Sequence, residues 1–377
     1  MLSGDWNYPT SVRAGAGRLA ELPEACAALG IERPLLVTDP GIAGLPLLGT
    51  VVEACRSGGL EPLVYSDVKG NPTGDNVAGG LRFFEENDRD GVIALGGGSA
   101  LDAGKAIALV ARQGRSLWDF EDVGDNWLRA DPSTIAPVVA VPTTAGTGSE
   151  VGRASVITDE AEQRKKIIFH PRMLPGQVIL DPDVTRGLPA KLTAATGMDA
   201  LSHSLEALCA PTYHPMAEGI AIEGMRLVKG YLPRAVVDGE DLEARMQMLV
   251  ASSMGATAFQ KGLGAMHALA HSLGALYDAH HGLLNAILMP YVLEANADQI
   301  ADKLSRAAAY LDLPEASYAS FLNWVLDLRA GIGIPNTLGD IGITAGEAER
   351  VGQMAVEDSA AAGNPIPLSA EAYADLF

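Results

Sequence analysis

Four of the seven histidines in this chain, His267, His271, His280 and His281, fall within a fifteen-residue stretch. In MHALAHSLGAL, His267 and His271 are four residues apart and share one face of a helix, and the AHHG sequence brings His280 and His281 back after a turn. Upstream, GMDALSHSLEAL places Asp199 and His203 at the same spacing, so a carboxylate and an imidazole can reach one cation. One carboxylate with two or three imidazoles, and no thiolate among them, suits Fe(II) or Zn(II). Any one of these histidines alone reads as an ordinary core or surface residue; the set reads as a metal site. HALAH lacks the glutamate base of HEXXH, which argues against hydrolysis by the zinc-peptidase route. His170 and His214 have no such company and read as structural.

A second kind of chemistry is written in glycine. GVIALGGGSALDAGKAIAL (91–109) reads as strand, glycine turn and helix, an arrangement that brings backbone N–H groups close to a phosphate. Gly96, Gly97 and Gly98 supply the closeness that a side chain would deny. The plainer alternative is a tight turn in which Ser99 and Asp102 form an S-x-x-D capping box. VPTTAGTGSE (141–150) follows another strand-like run and offers Thr143, Thr144, Thr147 and Ser149 beside Gly146 and Gly148. It suits a polar ligand at the carboxyl edge of a sheet, or an ordinary polar loop. Asp39, in LLVTDPG, stands where an acid can bond ribose hydroxyls, although D-P-G is also a common turn.

These residues need elements to position them. Apolar runs at PLLVT (34–38), PLVY (62–65), GVIAL (91–95), PVVAV (137–141) and QVIL (177–180) alternate with helical patterns, as expected for strands buried on both faces. The first half is therefore expected to be a doubly wound α/β domain with a mostly parallel sheet. ASVIT and KKIIF, within 151–170, suggest a hairpin or two additional strands. Beyond about residue 185, Ala, Leu and Met recur at helical spacing and predict an all-α domain. The expected division is 1–185 and 186–377.

The composition narrows the function. With 377 residues, 48% of them apolar and 20% charged, the chain can bury a large core over two domains. A formal net charge of -20 argues against a nucleic-acid or anionic-membrane partner. Cys26, Cys55 and Cys209 are odd in number and far apart, which suggests free thiols in a reducing compartment. MLSGDWNYPT has neither the cationic start nor the apolar run of a signal peptide or anchor, so a cytoplasmic location is expected.

Taken together, GGGSALDAGKA, PTTAGTGSE, ATGMDALSHSLEA, GLGAMHALAHSLGALYDAHHGLLNAILMPYV and the GNP at 363–365 resemble the iron-containing, or group III, alcohol dehydrogenase family, in order and over nearly the whole chain. The resemblance implies an α/β dinucleotide-binding domain followed by a helical metal-binding domain. It implies Asp199, His203, His267 and His281 as metal ligands, with His271 near the substrate as a proton relay. It implies NAD bound through Gly96, Gly97, Gly98, Ser99, Asp102, Thr143, Thr144 and Thr147, with Asp39 at the adenosine ribose and Lys165, or its neighbour Lys166, reaching the cofactor.

The implied activity is NAD-dependent, metal-dependent interconversion of a small primary alcohol or diol and its aldehyde, with Fe(II) expected and Zn(II) compatible. A homodimer is expected. Alternatives on the same scaffold are polyol oxidation, a 4-hydroxybutyrate-type semialdehyde reaction, and a lyase resembling dehydroquinate synthase. Ala154 and Ser155 stand where the family's lactaldehyde reductases carry larger residues, and His280 beside His281 is an unusual competitor for the metal. Ala154, Ser155, Leu263 and Met266 are expected to make an apolar substrate site, with Arg153 as the one cation nearby in sequence.

Overall fold

The computed structural model describes the backbone of Gly4–Trp6 and all of residues 10–377. Among the described residues nine strands are formed: β1 (Gly4–Trp6), β2 (Ser11–Ala14), β3 (Pro34–Val37), β4 (Leu63–Tyr65), β5 (Gly91–Gly96), β6 (Val138–Pro142), β7 (Ala154–Asp159), β8 (Arg164–Phe169) and β9 (Gln177–Leu180). Seven of them make one sheet in the order β1-β2-β9-β6-β5-β3-β4, parallel except for β1 against β2. Every residue of β3, β5 and β6 is buried. That explains their unbroken apolar runs, since helices cover both faces of the sheet. The 151–170 region is a separate antiparallel hairpin of β7 and β8. Sequence reading missed β2, whose four residues SVRA are short and alternate between half-buried and buried.

Helices α1 (Leu22–Ala28), α2 (Pro40–Ala43), α3 (Pro46–Ser57), α4 (Gly74–Glu86) and α5 (Gly98–Val110) lie between the early strands. From β3 the chain first moves outward to β4 and then returns to place β5 on the other side of β3. The carboxyl ends of β3 and β5 therefore flank the point where the winding reverses, the place where open α/β sheets bind ligands. Asp39 follows β3, and Gly96 to Gly98 follow β5.

After Gly187 the described chain contains no strand. It forms α6 (Ala190–Cys209), α7 (Pro215–Val237), α8 (Leu242–Ala258), α9 (Ala265–Tyr277), α10 (His281–Ala295), α11 (Ala297–Tyr310), α12 (Tyr318–Gly331), α13 (Ala348–Glu357) and α14 (Ala370–Leu376). Helix α6 is buried along its length from Thr193 to Cys209, which makes it the core helix of this unit. Its buried carboxyl end needs partners for its carbonyls. Lys261 Nζ supplies them at 3.0 Å from Ala207 O, and Lys303 Nζ at 2.9 Å from Leu208 O.

Two compact units result. One runs to Thr144 and resumes at Gly148 through Gly187; the other joins Ala145–Thr147 to Leu188–Phe377. All three cysteines are free and buried. Among the described residues, no helix is long and apolar enough to cross a membrane.

Candidate active site

In the helical unit, one ligand atom from each of Asp199, His203, His267 and His281 lies within 4.8 Å of the others. Asp199 and His203 come from successive turns of α6, His267 from the first turn of α9 and His281 from the first residue of α10. Helix α10 comes this close to α6 because Gly282 has no side chain. A Cβ there would stand 2.5 Å from Ala195 O and 3.0 Å from Asp199 Cβ, well inside contact distance. The His203 and His267 rings stack with centroids 4.7 Å apart, and His267 and His281 lie 5.3 Å apart.

The donor set fits a divalent cation. Burial pushes the pKa of His203 down to about 4, against the opposing pull of Asp199, so its ring is in the neutral form that ligates a metal. Burial also disfavours the His267 cation, but the Glu206 carboxylate outweighs it and holds that pKa above the ordinary value. Glu206 Oε2 lies 2.6 Å from His267 Nδ1, which directs Nε2 toward the cluster. Asp199, His203 and His267 are buried, whereas the His281 side chain is 22% exposed.

His271 lies outside the four. Its Nδ1 is 3.0 Å from Asp358 Oδ2, and its ring stacks 5.4 Å from that of His281. Burial opposes the Asp358 charge, yet the adjacent His271 holds that carboxyl below its ordinary pKa. His280 does not compete for the cluster. It is exposed and caps α10, its Nδ1 accepting from Leu283 N at 3.3 Å. His170 and His214 cap helical turns in the same way, accepting from Arg172 N and Ala217 N.

The α/β unit carries the glycine turn. Gly96 has a φ of 145°, a backbone conformation open to glycine, and a Cβ there would meet Ala100 Cβ at 2.7 Å and Asp39 Oδ2 at 3.2 Å. Asp39 and the turn are therefore neighbours across β3 and β5. Asp39 is also the N-cap of α2, with Oδ1 accepting from Ile42 N at 3.0 Å. Helix α5 begins at Gly98 with Gly97 as its N-cap, so the S-x-x-D capping box is not formed. Ser99 Oγ instead donates to Gly70 O at 2.5 Å.

Asp102 turns to the segment after β6, accepting from Ser149 Oγ at 2.5 Å and Val156 N at 2.8 Å. Lys105, buried beside it at 3.2 Å, donates to Ser149 O at 3.0 Å. Together they tie the glycine helix to the threonine-rich segment. Thr143 N donates to Gly96 O at 2.9 Å, and a Cβ on Gly97 would lie 3.3 Å from Thr144 Oγ1. Thr147 groups with the helical unit. Lys165 Nζ reaches Asn71 Oδ1 at 2.8 Å, whereas Lys166 is buried and paired with Asp159 at 2.7 Å.

Two residues expected to line a substrate site are interior to their own units. The Ser155 hydroxyl is buried and donates to Asp102 O at 2.8 Å, and Met266 is packed in the helical core. Ala154 and Leu263 keep partial exposure. Sequence reading passed over Glu206, Asn285, Asp358 and Lys105. Glu206 was within reach of it, since H-x-x-E in SHSLEAL puts it one turn beyond His203; Asp358 carries no such signal, because its partner is 87 residues away.

Residues 9–182 match the iron-containing alcohol dehydrogenase family, and residues 193–377 match the C-terminal domain of the same family. The chain belongs to this family and is an iron-type alcohol dehydrogenase. It is 38% identical over 376 residues to the 4-hydroxybutyrate dehydrogenase of Cupriavidus necator, covering 97% of each chain. It is 34% identical to the NAD-dependent methanol dehydrogenase of Bacillus methanolicus, covering 98% of this chain and 97% of that one. The crystal structure of a 1,3-propanediol oxidoreductase superposes with a TM-score of 0.91 at 32% identity, over 100% of this chain and 99% of the other.

Proposed function

We propose that this enzyme interconverts a short primary alcohol or diol and its aldehyde, using NAD and a divalent metal held by Asp199, His203, His267 and His281. The observation that carries this reading is the convergence of those four donor atoms within 4.8 Å in a chain of this family. When bound, the cation supplies Lewis acidity toward the alcohol or carbonyl oxygen, and the nicotinamide supplies the hydride acceptor. Fe(II) is the metal proposed, on the family's chemistry; the same donors accept Zn(II).

The protein's own part is to hold and to move a proton. Asp358, at 3.0 Å from His271 Nδ1, orients that ring, so Nε2 is the atom that takes the alcohol proton and returns it in the reverse direction. The glycine turn at Gly96, Gly97 and Gly98, at the amino end of α5, offers backbone N–H groups to the pyrophosphate. Ser99, Asp102, Thr143, Thr144 and Thr147 shape that loop, Lys165 reaches toward the cofactor, and Asp39 accepts from the ribose hydroxyls. The two domains are proposed as 1–185 and 186–377. Three buried free thiols support a cytoplasmic location, and a homodimer is the proposed assembly.

A second reading, 4-hydroxybutyrate oxidation, is favoured by the 38% identical relative of that name. Arg153, exposed at the start of the β7 hairpin with its guanidinium 5.9 Å above the Phe169 ring, would then hold the substrate carboxylate. Metal analysis of protein purified without added metal, followed by kcat/KM with NAD from ethanol to hexanol and with 4-hydroxybutyrate, separates the two. Higher values for the neutral series support the first reading. A clear advantage for 4-hydroxybutyrate, lost in Arg153→Ala, replaces it with the second, and no turnover of any alcohol overturns both.

A further inference from the structure

We propose that Glu206 is a positioning residue of the metal centre, setting both the proton and the place of His267. The inference rests on the reading of Asp199, His203, His267 and His281 as metal ligands. Glu206 is 5% exposed and follows His203 by one turn of α6. Its Oε2 lies 2.6 Å from His267 Nδ1 and accepts from Gly264 N at 2.7 Å, while Oε1 accepts from Met266 N at 2.8 Å.

An imidazole ligates a metal through a bare nitrogen, and a ring with one proton has one bare nitrogen to offer. A carboxylate can only accept at Nδ1, so the shared proton belongs there and the lone pair of Nε2 faces the other three ligands. The contacts to Gly264 and Met266 make this more than a ring contact. They satisfy N–H groups at the start of α9, where the N-cap residue is Gly264 and has no side chain of its own to cap the helix. The negative charge also stands at the positive end of that helix. One carboxylate on α6 therefore sets the tautomer of the His267 ring and the position of the helix that bears it. Because the same α6 carries Asp199 and His203, three of the four ligands are referenced to a single helix.

Glu206→Gln tests this. The amide offers one oxygen and one NH2 group where the carboxylate serves three donors, His267 Nδ1 and the N–H groups of Gly264 and Met266. Either the NH2 group faces Nδ1 and puts a hydrogen on Nε2, or it faces Met266 N and displaces the start of α9; each disturbs His267 as a ligand. Co(II) affinity, measured against a competing chelator, is expected to fall about 10- to 100-fold, with a changed Co(II) visible spectrum. A merely structural role would lower Tm and leave affinity and spectrum unmoved below it.

A second measurement needs no Glu206 variant. Long-range 1H–15N NMR of the Zn(II)-loaded protein, with the His267 signals assigned by their loss in His267→Gln, is expected to show the proton on Nδ1. A proton on Nε2, or a folded Glu206→Gln with unchanged Co(II) affinity and spectrum, overturns the proposal. Failure of the unmodified protein to bind either metal overturns the metal reading itself, and this inference with it.

Discussion

The side-chain amide of Asn285, on α10, donates to Asp199 Oδ1 on α6 at 2.8 Å, and the same Nδ2 lies 3.2 Å from both His267 Nε2 and His281 Nε2. Asn285 follows His281 by one helical turn and is fully buried. Its amide thus touches three of the four proposed ligands. Asn285→Ala removes the hydrogen bond that holds the Asp199 carboxylate in place. The expected result is a 10- to 100-fold weaker metal affinity, typical of losing such a support. Chelator competition against the unmodified protein checks it, and equal affinities would make Asn285 a packing residue.

His203→Ala and His281→Ala should each lose most bound metal and turnover, since removing one imidazole leaves the shell incomplete. His271→Ala should keep the metal and slow the reaction by about 10²- to 10⁴-fold, the usual contribution of a positioned proton relay. Metal analysis beside steady-state rates distinguishes the two classes. Metal loss in His271→Ala with retention in His267→Ala would show that the next turn of α9 binds the ion.

NAD should be preferred over NADP, because Asp39 accepts from a ribose 2′-hydroxyl and repels a 2′-phosphate. In Asp39→Gly the preference should narrow, since a hydrogen bond to a charged group contributes about 1.5–3 kcal/mol. The loss of the cap to Ile42 N is small, as glycine serves at an N-cap within a few tenths of a kcal/mol. The ratio of kcat/KM for the two cofactors is the measurement. An unchanged ratio assigns Asp39 to the turn alone.

The metal-free protein should lose stability as the pH falls from about 6.5, the ordinary histidine value, to about 4, where native His203 titrates. In that window the unfolded chain binds a proton at this position and the native protein does not. Stability therefore drops toward acid, by on the order of 3 kcal/mol across the whole window. His203→Gln lacks this dependence, while the opposite contribution of His267 is present in both proteins. Thermal unfolding in chelator should show any stability advantage of the unmodified protein shrinking as the pH is lowered. A difference that stays constant would mean that the native ring protonates as readily as the unfolded one.

Much of this was local enough to be legible in the sequence. Four-residue spacing puts Asp199 and His203 on one face of α6 whatever surrounds them, and a glycine run after an apolar strand makes a turn at a sheet edge by its own conformational freedom. The unbroken runs of β3, β5 and β6 announced burial on both faces. What tertiary structure alone decided is how such pieces meet. His280 and His281 are adjacent in sequence, yet His280 spends its Nδ1 on capping α10 while His281 turns to the cluster, because Gly282 lets that helix lie against the Ala195 carbonyl. The GNP sequence is likewise mute as a string. In the fold Asn364 Oδ1 accepts from Ala265 N at 3.1 Å and from Asn296 Nδ2 at 3.0 Å, fixing the start of the helix that bears His267 from 99 residues away. Periodicity specifies which residues share a face; the partner of that face is set by packing between helices far apart in the chain, which no local pattern encodes.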